Sequence, residues 1–494
     1  MQKVTGKRKI AVDGIKLLSS SLITKIISGG VGILIAKVLG PADFGLLRII
    51  NFVPSLAKYA DIGFGSVYGR EIPHIRTVGG GKEAEQRVAD TAFSANIVWG
   101  AVLAVIVFLV SFCFSTPFVR FGLWISALSL FMAQLNRLYA VKCSVNKLFS
   151  IIAAVAVVGS LIRALVIVTT VYWGRGYSVL FATLFAAVAA TGYYSHKISL
   201  SFSFTPNKEE FFRLLKIAIP LTSGTAAGGL FQWAEYILII SLYGSAELGI
   251  YAFAIFILDS FQLILNSLMR AGKVHLYEAL ARSSSEEIFP LMKKVILTVS
   301  YTLAPIIGFC CLIVPPVINY LMPEYNGLSP LLPWLGTAFF LTGISMLPST
   351  AMNSAALNMQ TPATILGFLK TGVFLIIVFW LKSWEIGVVT IAIAKVVAEF
   401  SRVFTSFLLT SRCLLGSVKN MFIIFGESLL LLFVSLVMIY WLNNRISSNT
   451  LWNVSLQNIL FLLSMMVSIF LLDTRAKIFL PILKNKFHRL LNGR

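Results

Sequence analysis

The feature that most constrains this chain is a succession of apolar segments, each long enough to cross a bilayer. A spanning helix needs about 20 predominantly apolar residues. Such segments lie at about 14–39, 44–66, 89–114, 118–141, 149–173, 176–195, 213–243, 247–269, 293–321, 331–357, 363–381, 386–411, 419–441 and 452–472. Fourteen spans in 494 residues leave no room for a separate folded domain. Inside lipid each span has to satisfy its own backbone polar groups, so the expected fold class is an all-α polytopic membrane protein. The composition agrees, with 57% hydrophobic and only 12% charged residues, about half the charge of an ordinary soluble domain. A soluble enzyme, a disordered scaffold and a nucleic-acid-binding module are thereby excluded.

The excess of 41 Lys+Arg over 20 Asp+Glu, a net charge of +21, is read as retention of cytoplasmic loops and not as contact with nucleic acid. With the N-terminus inside, 27 cations fall in cytoplasmic segments, from Lys3, Lys7, Arg8 and Lys9 to the basic tail. The opposite side holds four: Arg120, Arg175, Lys382 and Arg445. That asymmetry is the positive-inside rule, and it places both termini in the cytoplasm. The basic N-terminus leads into a stretch with no small-residue cleavage site, so it is expected to be retained as the first span. The five cysteines show no C-x-x-C pair and no disulfide framework.

The chain repeats itself. Gly40-Pro41-Ala42-Asp43-Phe44-Gly45 follows the first span, and Gly244-Ser245-Ala246-Glu247-Leu248-Gly249 follows the seventh, at an offset of 204. In each motif the acid is placed to cap the next helix and the glycines permit a tight turn. Six spans per half, both starting on the cytoplasmic side, predict two lobes in a parallel pseudo-repeat, a transporter design with the substrate path between the repeats. The expected organisation is an N-lobe at 1–205, a C-lobe at 206–415, two further spans at 416–473 and a basic tail at 474–494.

Charges inside the spans point to what is carried. Each cation costs about 2.5–3.5 kcal/mol at a helix centre on insertion scales. Lys25 shares a small, polar helix face with Ser21, Ser28 and Gly32; Arg48, Asn51, Ser55 and Lys58 form a second stripe; Arg163 lies mid-span near Gly159 and Ser160. Lys25, Arg48, Lys58 and Arg163 with Asn51 therefore form the expected binding set for phosphate or pyrophosphate, led by Lys25 and Arg163. The local counter-ion is Asp61, which pairs with Lys58 in the structural alternative. In the second half, Glu235, Asp259 and Glu399 are the candidates for coupling transport to protons or sodium, and Lys395, Glu399 and Arg402 also form a triad able to neutralise itself. No catalytic constellation and no metal-ligand spacing is present, so an enzyme, a metal and a cofactor are not expected. The histidines His74, His196, His275 and His488 fall in or at the edge of cytoplasmic segments.

The ending of the first span with its loop, Ala36-Lys37-Val38-Leu39-Gly40-Pro41-Ala42-Asp43-Phe44-Gly45, resembles the polysaccharide transporter branch of the multidrug/oligosaccharidyl-lipid/polysaccharide exporter superfamily. The Asp61-Ile62-Gly63-Phe64-Gly65 segment, the basic 70–87 loop and the echo at Gly244–Gly249 carry the same resemblance. It implies an O-antigen-type flippase of the bacterial inner membrane, with two six-helix lobes and a cationic cavity. Its substrate would be an undecaprenyl-diphosphate-linked oligosaccharide, moved from the cytoplasmic to the outer leaflet. The implied partners are the lipid-linked oligosaccharide, the bilayer, and a polymerase and chain-length regulator of the same pathway, with no nucleic acid. The alternatives are a cation-coupled multidrug exporter of the same superfamily, which favours an acidic or aromatic cavity, and a membrane polysaccharide polymerase, which needs a long external loop.

Overall fold

Long apolar runs with neither alternation nor turn chemistry inside them can satisfy their backbone in lipid only as helices. The computed structural model describes residues 2–476 apart from 56–61, 79–80, 201, 205–206, 267–268, 270–275, 277–279, 281–284, 355–356, 358, 415–417 and 447–450. Among the described residues there is no strand. In chain order the long helices are α1 (Gln2–Ser55), α2 (Phe64–Val78), α3 (Gly81–Ser111), α4 (Pro117–Val145), α5 (Phe149–Lys197), α6 (Lys208–Tyr243) and α7 (Ser245–Asp259). They continue as α8 (Ser285–Leu321), α9 (Leu331–Met352), α10 (Gln360–Leu381), α11 (Val389–Leu414), α12 (Val418–Arg445) and α13 (Leu451–Ala476). The chain is an all-α, multi-pass membrane protein.

Ten described stretches are long and apolar enough to cross a membrane. Ser19–Ser55 covers most of the first expected span and the described beginning of the second, and Phe149–Lys197 holds two of the expected spans. A straight helix of 37 residues would run roughly 55 Å against a hydrocarbon core of about 30 Å, so each of these has to fold back. The first does so at Gly40, whose φ of 73° and ψ of 173° interrupt α1. The second does so at Arg175, whose φ of 46° and ψ of −127° interrupt α5. Two expected spans fall outside the ten for identifiable reasons. α7 stops at Asp259 because the chain tightens there, with Ser260 N–H bonded to the Ile257 carbonyl and Phe261 N–H to that of Leu258. α11 carries Lys395, Glu399, Arg402 and Arg412, more charge than a plain apolar span tolerates.

The repeated motif is repeated in space. Gly40 (φ 73°) and Gly244 (φ 89°) both take a backbone that L side chains avoid. A methyl group on Gly45 would overlap the Ser245 carbonyl, and one on Gly249 would overlap the Pro41 carbonyl. Ser245 and Pro41 are the second residues of the two motifs, so the contact is reciprocal. Close backbone approach is what small residues provide in a membrane interior, where apolar area alone gives little drive to associate.

The chain divides into two compact units, Met1–Gly249 and Ile250–Arg494. The lobe boundary expected at 205/206 lies within the first unit, where α6 packs on α2 and α3. There a core of Phe64, Val67, Tyr68, Ile72, Phe93 and Leu138 is joined by Leu214 and Ala218 of α6. Its polar end is tied by Arg213, which reaches Glu71 at 3.0 Å and Glu210 at 2.7 Å. Arg76 donates to Glu85, and that bond raises the guanidinium above its usual range. In the second unit α12 and α13, the two spans outside the repeat, pack on α8. Ser435 donates to the Ala304 carbonyl at 3.1 Å, Lys293 pairs with Glu427 at 3.1 Å, and Gly308 leaves room for the Phe461 ring.

Candidate functional site

Within the first unit, α1 packs extensively on α5. Thr24 Oγ1 approaches the Ala156 carbonyl at 3.5 Å, which sets the register of the two first-half segments. Both run in the same direction on the expected topology, so Arg163 stands about six residues beyond Lys25, or roughly 9 Å along the helix. The open space is in the same region. A side chain at Gly29, Gly30 or Gly159 would meet nothing within 4 Å. Arg163 follows Gly159 by one turn on the same face, and a helical side chain leans over the turn before it.

Arg163 has its Nε buried without a hydrogen-bond partner, and among the described residues no carboxylate pairs with it. The charge that acts on it is another cation, Arg48. Arg48 lies on α1 beyond the Gly40 break, with Asn51 one turn on, and both are half-buried. Phe52 on the same face meets Trp233 and Tyr236 of α6 edge-on, at ring-centroid separations of 5.4 and 5.6 Å. A buried guanidinium under the influence of a like charge is costly unless a counter-charge is supplied.

Of the expected set, Arg48 is the residue whose charge acts on Arg163. Lys25 is exposed. Lys58 and its expected counter-ion Asp61 lie outside the described residues. Glu235, between Trp233 and Tyr236 in sequence, is buried at 2% exposure. Asp259, in the second unit, is exposed and sits at the C-terminal end of α7, where the helix breaks.

The second unit treats its intramembrane charges differently. Glu399 is buried and receives Lys370 Nζ on one oxygen and Arg402 Nε on the other, the latter at 2.9 Å. Arg402 Nη2 continues to Ser345 Oγ at 2.8 Å. α9, α10 and α11 are tied together at one point. Glu399 and Arg402 of the expected triad pair and Lys370 joins them, while Lys395 Nζ lies 5.8 Å from the centre of the Tyr251 ring. The sequence reading missed Lys370 because its partner is on another helix. A single cation in the otherwise apolar α10 was the available signal, since such a charge requires a partner. Among the described residues no cluster of His, Cys, Asp and Glu is placed to hold a metal.

A family profile described as polysaccharide biosynthesis protein matches residues 33–326. Among solved structures, the inward closed conformation of the lipid II flippase MurJ is similar over 94% of this chain and 99% of its own, with TM-score 0.70 and 13% identity. An inward-facing multidrug resistance MATE transporter of the MOP superfamily matches 81% of this chain and 95% of its own, with TM-score 0.61 and 14% identity. A MOP superfamily transporter from Pyrococcus furiosus matches the same shares with TM-score 0.59 and 15% identity. No curated protein matches the sequence. At these identities the structural likenesses speak for the fold.

Proposed function

This chain belongs to the polysaccharide biosynthesis protein family, polysaccharide transporters of the MOP superfamily, and on that premise we propose that it is a flippase. It carries an undecaprenyl-diphosphate-linked oligosaccharide from the cytoplasmic to the outer leaflet by alternating access, for O-antigen, capsule or exopolysaccharide assembly. The observation that carries the proposal is Arg163, whose Nε is buried and unbonded, on which the charge of Arg48 acts, and which lies one turn from the open space at Gly159. A diphosphate is the anion that two guanidinium groups recognise well, through short charge-assisted bonds to planar forks. Asn51, one turn from Arg48, supplies an uncharged amide suited to a sugar hydroxyl or phosphate oxygen. A drug exporter for organic cations would be repelled by the same pair, which favours the anionic substrate.

Transport and not polymerisation is the reading that the connections support. The helix links on the side of Arg175 are short, as at 112–116 and 382–388, and leave no room for an acceptor domain. Coupling falls to Asp259. The end of a broken helix carries partial negative charge, and with a carboxylate beside it this is a place for a monovalent cation or proton. Glu235 is the second coupling candidate. Glu399 is already neutralised by two cations.

The test is export by Arg48→Ala and Arg163→Ala variants, with purified lipid-linked oligosaccharide in proteoliposomes and surface glycan in cells. Both variants are expected to melt close to the wild type and to lose flipping. Stable variants that export fully would remove the diphosphate site from this position.

A further inference from the structure

On the assumption of the transport reading above, we propose that Arg175 is an exit-side receptor for the phosphate groups of the substrate, at the end of α5 opposite the cytoplasmic loops. Three observations converge on it. Its backbone (φ 46°, ψ −127°) is that of the first central residue of a type II′ turn, a position dominated by glycine. Arg175 is itself flanked by Gly174 and Gly176, so the turn uses glycine on both sides and arginine at the one place where glycine would serve best. The turn is also held rigid: Ser178 Oγ donates to the Thr170 carbonyl at 2.8 Å, and the Phe118 ring covers Gly176. Arginine there is displayed by a preformed support, and the backbone strain is tolerated for the sake of the side chain.

The third observation is the looseness of its partner. Arg175 lies 3.8 Å from Asp43, with 60% and 48% of the two side chains exposed. Arg120, the other first-unit cation on this side, is by contrast occupied by two bonds to the Phe114 carbonyl, at 3.2 and 3.1 Å. An exposed pair at that distance contributes little and is easily exchanged. A phosphate dianion competes well against a single carboxylate for a guanidinium. Arg175 stands 12 residues beyond Arg163 on the same element, roughly 18 Å along the helix. The two arginines are a mid-membrane and an exit-side station for one anion, and Asp43 holds the outer station in the absence of substrate.

The same chemistry could come from an outer-leaflet lipid headgroup, and the test separates the two. The full-length protein is reconstituted for flipping and, in neutral detergent, melted with and without inorganic pyrophosphate or phosphatidylglycerol. Arg175→Gly is expected to melt at or above the wild-type temperature, since it relieves the turn, yet to export about tenfold less, the worth of one charge-assisted contact. Arg175→Lys recovers most of that loss, and Asp43→Asn exports as well as the wild type or better. In the Arg163→Ala background, a remaining pyrophosphate-induced rise in melting temperature disappears on adding Arg175→Gly. Full export by Arg175→Gly overturns the inference, and so does an equal loss in Asp43→Asn, which makes the pair a structural latch. A stabilisation by phosphatidylglycerol that depends on Arg175 assigns the arginine to lipid instead. If Arg163→Ala exports normally the mid-membrane reading fails and this inference falls with it; if only the Arg175 variants are silent, the mid-membrane reading stands alone.

Discussion

The two units hold intramembrane cations in opposite ways. In the second, Glu399 is shared between Lys370 and Arg402, and Arg402 also donates to Ser345. In the first, the charge of Arg48 acts on Arg163, whose Nε has no partner. The same residue type inside the same kind of helix is thus structural in one place and poised for a ligand in the other. Charge content does not separate the two roles; completeness of the hydrogen-bonded set does. A satisfied set loses stability when one member is removed, because the others become uncompensated. An unsatisfied one loses function instead.

The largest expected effect breaks the second-unit set. Glu399→Gln leaves Lys370 and Arg402 without a counter-charge and should cost about 3–5 kcal/mol, read as a fall in melting temperature of the purified protein. A variant as stable as the wild type would erase the contrast. Next in size is Arg163→Met, which keeps the apolar stem and removes the unbonded Nε. Relief of a buried unsatisfied donor is worth about 1–3 kcal/mol, so the variant should melt at or above the wild type while flipping is lost. Destabilisation on the scale of Glu399→Gln would mean that Arg163 is paired like its second-unit counterparts.

Much of this contrast was legible before the structure. Hydropathy yields the helices, since it follows from the solvent and not from packing detail. The motif pair at Gly40–Gly45 and Gly244–Gly249 pointed to a repeat, but not to the reciprocal seating of each last glycine on the other motif's carbonyl. Arg163 was legible as a mid-span cation without a sequence-local partner. Its neighbour was not. Lys25 and Arg48 lie on either side of the Gly40 break, so helical spacing along α1 does not relate either of them to α5. Lys370 was hidden for the same reason, since the helical rule of three and four residues reaches partners within one helix alone. The unusual backbone of Arg175 was marked only by its two flanking glycines.

A smaller effect is expected at Asp259. If the broken end of α7 takes a proton or a monovalent cation, Asp259→Asn should flatten the dependence of flipping on the pH or sodium gradient, with the ungraded rate nearly intact. Initial rates in proteoliposomes with imposed gradients measure this. An unchanged gradient response would move coupling to Glu235, which the same assay on Glu235→Gln examines.

The smallest effect sharpens the comparison most. Lys25 is exposed and on the expected topology stands roughly 9 Å short of Arg163; where that face meets water, its attraction for an anion is screened. An exposed charge of this kind contributes a few tenths of a kcal/mol to about 1 kcal/mol, which corresponds to no more than about a fivefold change in rate. Lys25→Ala should therefore reduce flipping by a few-fold at low salt, and the difference from wild type should shrink at 0.5 M salt, where the screening length falls below about 5 Å. The losses in Arg48→Ala and Arg163→Ala should persist at that salt, because a buried pair is screened much less. If Lys25→Ala instead matches Arg163→Ala at both salts, the binding pair is Lys25 with Arg163, and the anion sits one to two turns nearer the cytoplasm than Arg48 places it.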